Sequence, residues 1–410
     1  MKMRTLIVMF ALIVTLLVPL SAGQFAKVAL PVDLQGELEG VPYRILVPED
    51  WNGTLLVYAH GYNEGQKPPL LAPLTADVDD LFGRGFALAA SRFAGSGWNV
   101  KEGMQNTVAL TAAFRGMVGR PQRTIIWGRS MGGLMTLGLI EKFPGHYDGA
   151  VALCAPASGT PRRFDQALDI ALAYDVAFGW PPAWGTPGDL RDDLDFKNEV
   201  YPHIMQRMTS AAKGGWEFIR RVNRIPPDTY YVGLNRVMPV YFATGVRAEL
   251  ESRAGGPVAE NIGRVYTLTV EDKLELAGMG IDADALLERM NAMTIFTADP
   301  NARNYVEHYV NPSGRINRPV LTLHTTGDAL ATPNNESAYR ATVEEQGNGG
   351  LLMQQFVSGG AHCTFTSEQN IAAIDAMKYW LDTRNHPDPL IFFNPALGFD
   401  LSYVPLPWPW

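Results

Sequence analysis

Between residues 41 and 154 the apolar positions switch repeatedly between two periods. Residues 43–47 read as a short strand, closed by the turn from Pro48 to Gly53, and 54–59 is a nearly unbroken apolar run, as in a strand covered on both faces. Helical sequence ending at 81–85 leads into a strand at 86–90. A helix over 106–117, a strand over 124–127, a helix over 131–143 stopped by Pro144 and Gly145, and a strand over 149–154 follow. Strands alternating with helices in this way predict an α/β sheet that becomes parallel.

The alternation then stops. From 157 to 317 the pattern is mostly helical, strongest at 167–177, 199–212, 216–222 and 283–293, with breaks at Pro181-Pro182 and Gly255-Gly256-Pro257. It returns with a strand at 319–324, a helix at 334–345, a strand at 352–357 and a last helix at 367–382. The expected organisation is one α/β core in two parts, 24–156 and 318–384, split by a mainly helical cap at 157–317. A tail at 385–410, rich in Pro, Phe and Trp, is expected to pack across the core or cover an apolar surface. At the other end, Lys2 and Arg4 precede an uncharged apolar run over 6–20 and the small residues Ser21, Ala22 and Gly23. These are the parts of a signal peptide at 1–23, which implies a secreted or periplasmic protein; a retained anchor is the alternative. Gln24 stands where a lipidated cysteine would have to be.

With 47% hydrophobic and 19% charged residues, the chain has an ordinary globular composition. No later segment is long and apolar enough to span a bilayer. A formal charge of −8 without a basic stripe makes the chain a poor candidate for nucleic acid, and no such partner is expected. The two cysteines, Cys154 and Cys363, are a disulfide candidate in an oxidising compartment; they lack the neighbours a zinc site needs, and no metal or cofactor is expected.

The chemistry centres on Gly128-Arg129-Ser130-Met131-Gly132, which lies between the strand at 124–127 and the helix at 131–143. A serine in such a turn is a candidate nucleophile, and small residues two before and two after it keep neighbouring backbone from colliding. A serine is a weak nucleophile until a base takes its proton. Of seven histidines, His362 follows the last strand in Ser358-Gly359-Gly360-Ala361-His362, where small residues leave its ring free to reach over the sheet. His60 and His324 are expected to be buried and hydrogen-bonded. Asp328, after the strand at 319–324, is the candidate acid that orients the base, with Asp165 the alternative. The oxyanion donors are expected to be the N–H of Met131 and that of Tyr62, in His60-Gly61-Tyr62.

On these motifs the chain resembles the α/β-hydrolase superfamily, and more narrowly secreted bacterial serine esterases with an inserted lid. The resemblance covers about 41–156 and 319–382. It implies an eight-stranded, mostly parallel sheet with the catalytic groups at carboxyl ends of strands. His362-Cys363 is also similar to the tannase and feruloyl esterase group, in which a cysteine after the histidine is bonded to one just before the serine. Arg129 occupies that position here, so the pattern is half present. The pairing it suggests is Cys154 with Cys363, against two separate thiols.

Hydrolysis of a carboxylic ester through an acyl-enzyme is the expected activity, on a small-molecule or polymeric substrate. Trp98, Trp180 and Trp184, with Trp216, could line a cleft for a bulky or aromatic ester, or be core. A serine peptidase of aminopeptidase type is the alternative. It would need a carboxylate cluster to hold the substrate amine, for which Asp189, Asp192, Asp193 and Asp195 are candidates; their spacing also fits a solvated acidic face. A binding protein that lost catalysis is the non-enzymatic alternative.

Overall fold

The computed structural model describes residues 29–63 and 70–409. The expected leader at 1–23 lies outside the described residues. The eight strands are β1 (Val32–Leu38), β2 (Val41–Val47), β3 (Thr54–Ala59), β4 (Ala87–Ser91), β5 (Arg123–Arg129), β6 (Gly149–Leu153), β7 (Val320–Thr325) and β8 (Leu352–Val357). They form one sheet in the order β1-β2-β4-β3-β5-β6-β7-β8. β1 pairs antiparallel with β2 and β2 with β4; every later pair is parallel. This is the α/β-hydrolase fold with a cap.

Core helices cover both faces. α1 (Thr75–Gly83) lies on one, and α2 (Val100–Met117) and α3 (Met131–Lys142) lie on the other. Along β3, Leu55, Val57 and Ala59 join the core under α2 and α3, whereas Leu56 and Tyr58 join the one under α1. Two buried faces explain why 54–59 is apolar without alternation. β1 went unread in the sequence for the opposite reason: it is an edge strand, and its segment Gln35–Glu37 faces water on both sides.

Between β6 and β7 the chain leaves the sheet and forms a large helical insertion. Its first helix, α4 (Thr160–Phe178), is buried along most of its length. α5 (Tyr201–Gln206), α6 (Lys213–Val222), α7 (Met238–Tyr241), α8 (Arg247–Ala254), α9 (Val270–Gly278), α10 (Ala283–Ala292) and α11 (Pro300–His308) follow. Polar side chains from the segment between α8 and α9 and from α11 tie the insertion to α4. Asp169, fully buried, accepts from Arg264 and from Tyr266 Oη at 2.5 Å, and Asp165 accepts from Arg303 at 2.7 Å.

α12 (Asn334–Glu345) lies between β7 and β8. α13 (Ser367–Thr383) opens on a reciprocal cap in which Thr366 Oγ1 accepts from Gln369 N–H and Gln369 Oε1 accepts from Thr366 N–H. The tail then runs beside the edge strand β8: Ser358 N–H donates to Gly398 O at 2.9 Å and Asp400 N–H to Phe356 O at 2.9 Å. Phe392 is buried in the core under α13. The tail therefore occupies backbone groups that an open sheet edge would present to other chains. Among the described residues no helix is long and apolar enough to cross a membrane.

Candidate active site

β5 ends at Arg129 and α3 begins at Met131, so Ser130 forms the turn between them, with φ 57° and ψ −126°. Positive φ is strained for a residue with a side chain. The neighbours permit it by having none. A Cβ on Gly128 would lie 2.5 Å from Gly132 O and 2.7 Å from Ala59 O, and one on Gly132 would run into Ala59 O. The end of β3 therefore packs directly against the turn. Gly61, just beyond, backs onto the serine, since a Cβ there would sit 3.3 Å from Ser130 Cβ. His60 holds this loop by donating from Nδ1 to Gly61 O at 2.7 Å, with its ring stacked on Phe93. Burial pushes the His60 pKa down to about 4, so its imidazole is neutral.

His362 reaches the same point from the loop after β8. Its Nε2 lies 2.8 Å from Ser130 Oγ, and its Nδ1 lies 2.7 Å from Asp328 Oδ2. Asp328, fully buried after β7, also accepts from the N–H groups of Leu330 and Ala331 through Oδ1, at 2.8 and 2.9 Å. Burial would raise its pKa, but His362 and His324 outweigh that and hold the carboxyl well below the usual range. His324 is buried behind it. Both His324 ring nitrogens face oxygen acceptors, Nδ1 on Glu336 at 3.0 Å and Nε2 on Ala331 O at 2.6 Å. A ring with acceptors on both sides is protonated. Although burial lowers its pKa, hydrogen bonds to Asp328 and Glu336 raise it to about 10. The sequence placed His324 as a buried, hydrogen-bonded residue; that it carries a charge behind Asp328 was not legible there.

Cys154 follows β6 directly, and Cys363 follows His362. The two form a disulfide with Cα atoms 5.4 Å apart, across 209 residues of chain. It straps the histidine loop to the sheet, and Cys363 Sγ lies 3.5 Å from His362 Nε2. Cys154, His362 and Cys363 would otherwise have metal-ligand spacing, but the disulfide takes both sulfurs.

A small cavity of about 50 Å³ opens at Ser130 and His362. Its walls include Tyr62, Trp98, Tyr241, Phe242 and Val246, with Arg163 the charged member. Larger concavities occur elsewhere, such as one of about 680 Å³ between the cap and the tail, but Ser130 does not line them.

Of the predicted pocket tryptophans, only Trp98 reaches this cavity. Trp180 and Trp184 pack on each other, centroids 5.2 Å apart, and against Tyr174. The cavity sits at the N-terminal end of α4, at Arg163, and Trp180 follows its C-terminal end; at 1.5 Å per residue the helix separates them by about 25 Å. Trp216 is likewise core, on Tyr174 and Phe178. Asp165 serves Arg303 and Arg264 rather than a histidine. None of Asp189, Asp192, Asp193 and Asp195 lines this cavity: Asp193 pairs with Arg191, Asp195 accepts from Asn198 N–H, and Asp192 borders an open hollow with Glu249. Arg163 and Phe242 were missed in the sequence because nothing local marks them; the cap brings them in.

No known family profile matches the chain. It is 26% identical over 416 aligned positions to an o-phthalyl amidase from Xanthobacter agilis, covering 85% of this chain and 87% of that protein. Among solved structures, an esterase from Aspergillus oryzae overlays with a TM-score of 0.46 at 15% identity, covering 87% of this chain and 80% of that one. A proline iminopeptidase from Mycobacterium smegmatis overlays with a TM-score of 0.41 at 13% identity, covering 86% and 98%. Neither overlay bears on substrate.

Proposed function

We propose that the protein is a serine acyl hydrolase that cleaves an amide of a compact aromatic carboxylic acid, and esters of the same acyl group more readily. The observation that carries the reading is His362 bridging Ser130 Oγ and buried Asp328 at 2.8 and 2.7 Å. In this reading Ser130 Oγ attacks the acyl carbon while His362 Nε2 takes its proton. Asp328 holds the Nδ1–H tautomer and stabilises the imidazolium that forms. The proton then passes to the leaving nitrogen, the C–N bond breaks, and a water activated by the same histidine releases the acid from the acyl-enzyme. Backbone N–H groups of Met131 and Tyr62 are assigned to the developing oxyanion. The amidase relative supports the amide over the ester as the bond the site is built for. The small aromatic-walled cavity supports a compact aromatic acyl group.

The test is a fluorophosphonate probe followed by peptide mapping, with an aryl-amide panel run on wild type and Ser130→Ala. Labelling at Ser130 and a loss of about 10⁴-fold or more in turnover are expected for the variant. Labelling elsewhere, or an active Ser130→Ala protein, would refute the reading.

A further inference from the structure

Arg163 is a cation in a place that does not suit one. It is 1% exposed, in the first turn of α4, and that turn carries no acidic residue. The positive end of the helix dipole raises the local potential further. Its guanidinium lies over the Phe242 ring, 3.8 Å from the centroid, and donates to Gln166 Oε1 at 3.0 Å and to Leu330 O at 2.8 Å. Both acceptors are neutral. Among the described residues no carboxylate comes within ion-pair distance of it. Asp328, the carboxylate whose field it feels, is already committed to two histidines and two backbone amides. Burial pushes the Arg163 pKa down to about 9, which still leaves it charged at neutral pH.

A buried charge without a counter-charge is destabilising, and a ligand that supplies the counter-charge offsets that cost. Arg163 lines the same cavity as Ser130 and His362. A guanidinium offers five N–H donors in a planar fork, and two of these donors are used here by neutral acceptors. We propose that Arg163 is the specificity residue of this site and binds a second, free carboxylate on the acyl group, so that the substrates are monoamides or monoesters of an aromatic dicarboxylic acid. The aromatic ring would lie among Trp98, Tyr241 and Phe242, with one carbonyl at Ser130 and the carboxylate at Arg163. This rests on the acyl-hydrolase reading above and sharpens its substrate.

The experiment compares 2-, 3- and 4-carboxybenzanilide with benzanilide. Binding is measured by calorimetry on Ser130→Ala protein, which separates recognition from turnover, and kcat/KM is measured on wild type. One carboxylated isomer is expected to bind at least tenfold more tightly than benzanilide and to exceed it about 100-fold in kcat/KM. The preferred isomer reports the span from Ser130 to Arg163. In Ser130→Ala/Arg163→Gln protein the binding preference is expected to collapse to within about threefold, and Arg163→Lys to restore part of it. If the glutamine variant does not fold, the lysine variant and the wild-type ratio decide. Equal binding of the carboxylated and neutral anilides, or a preference that survives Arg163→Gln, overturns the proposal even when Ser130 is labelled and active. An unlabelled Ser130 with a preserved, Arg163-dependent binding preference would instead defeat the hydrolase reading and leave the carboxylate site standing.

Discussion

Replacing both cysteines, as Cys154→Ala/Cys363→Ala, tests whether the strap on the histidine loop is energetic as well as geometric. The bond closes 209 residues of chain. On the chain-entropy relation, a loop of that length restricts the unfolded state by about 5 kcal/mol. Unfolding entropy near 60 °C is about 2.1 cal/mol/K per residue, so a chain of 410 residues has about 0.9 kcal/mol/K at its midpoint. The ratio predicts a fall in Tm of about 6 °C. Activity should fall too, for a separate reason. Without the strap the loop is still held by Thr325 Oγ1 donating to Ala361 O at 3.0 Å and by Gly359 N–H donating to Thr326 Oγ1 at 2.8 Å. Those bonds keep His362 nearby without fixing it, and a displacement near 1 Å costs about 100-fold in turnover. The assay is differential scanning calorimetry of oxidised wild type, reduced wild type and the double variant, alongside the rate of Ser130 labelling. Reduced wild type and the variant should agree. A Tm within 1 °C of the oxidised protein's, with unchanged labelling, would refute the reasoning on both counts.

Two further predictions follow from the packing around the site. Gly132→Ala drives a methyl group into Ala59 O, and should destabilise the protein by about 1–3 kcal/mol or more and slow Ser130 labelling; a variant with wild-type melting and labelling would show that β3 and the turn can separate freely. His324→Gln removes the cation between Asp328 and Glu336 and should cost about 3–5 kcal/mol at neutral pH. Because the folded pKa of about 10 lies above the unfolded value of about 6.5, His324's contribution is complete below pH 6.5 and is lost as pH rises through 10. Melting curves from pH 6 to 10.5 should therefore fall more steeply for wild type than for His324→Gln, and parallel curves would count against a charged His324.

The sequence by itself determined the layered plan. The two periods of apolar residues placed seven of the eight strands, and the interruption at 157–317 marked the helical insertion, because burial on one or both faces writes itself into local spacing. Gly128, Ser130 and Gly132 were legible because the tight turn writes its own demand for small residues into five consecutive positions: a Cβ on Gly128 would lie 2.5 Å from Gly132 O. That Ala59 O presses on both glycines from β3 was not legible there. The solvated edge strand β1 left little apolar trace. Tertiary structure alone decided what stands around Ser130. Cys154 and Cys363 meet across 209 residues, and the pairing depends on how the loops after β6 and β8 cross the sheet. Trp98 and Trp180 look alike in sequence, yet the loop after β4 carries Trp98 to the cavity, whereas the length of α4 carries Trp180 away from it to pack on Tyr174 and Trp184. Arg163 gives no local sign at all. Its meaning lies in which groups surround it once α4 is seated, and no spacing along the chain records the absence of a partner.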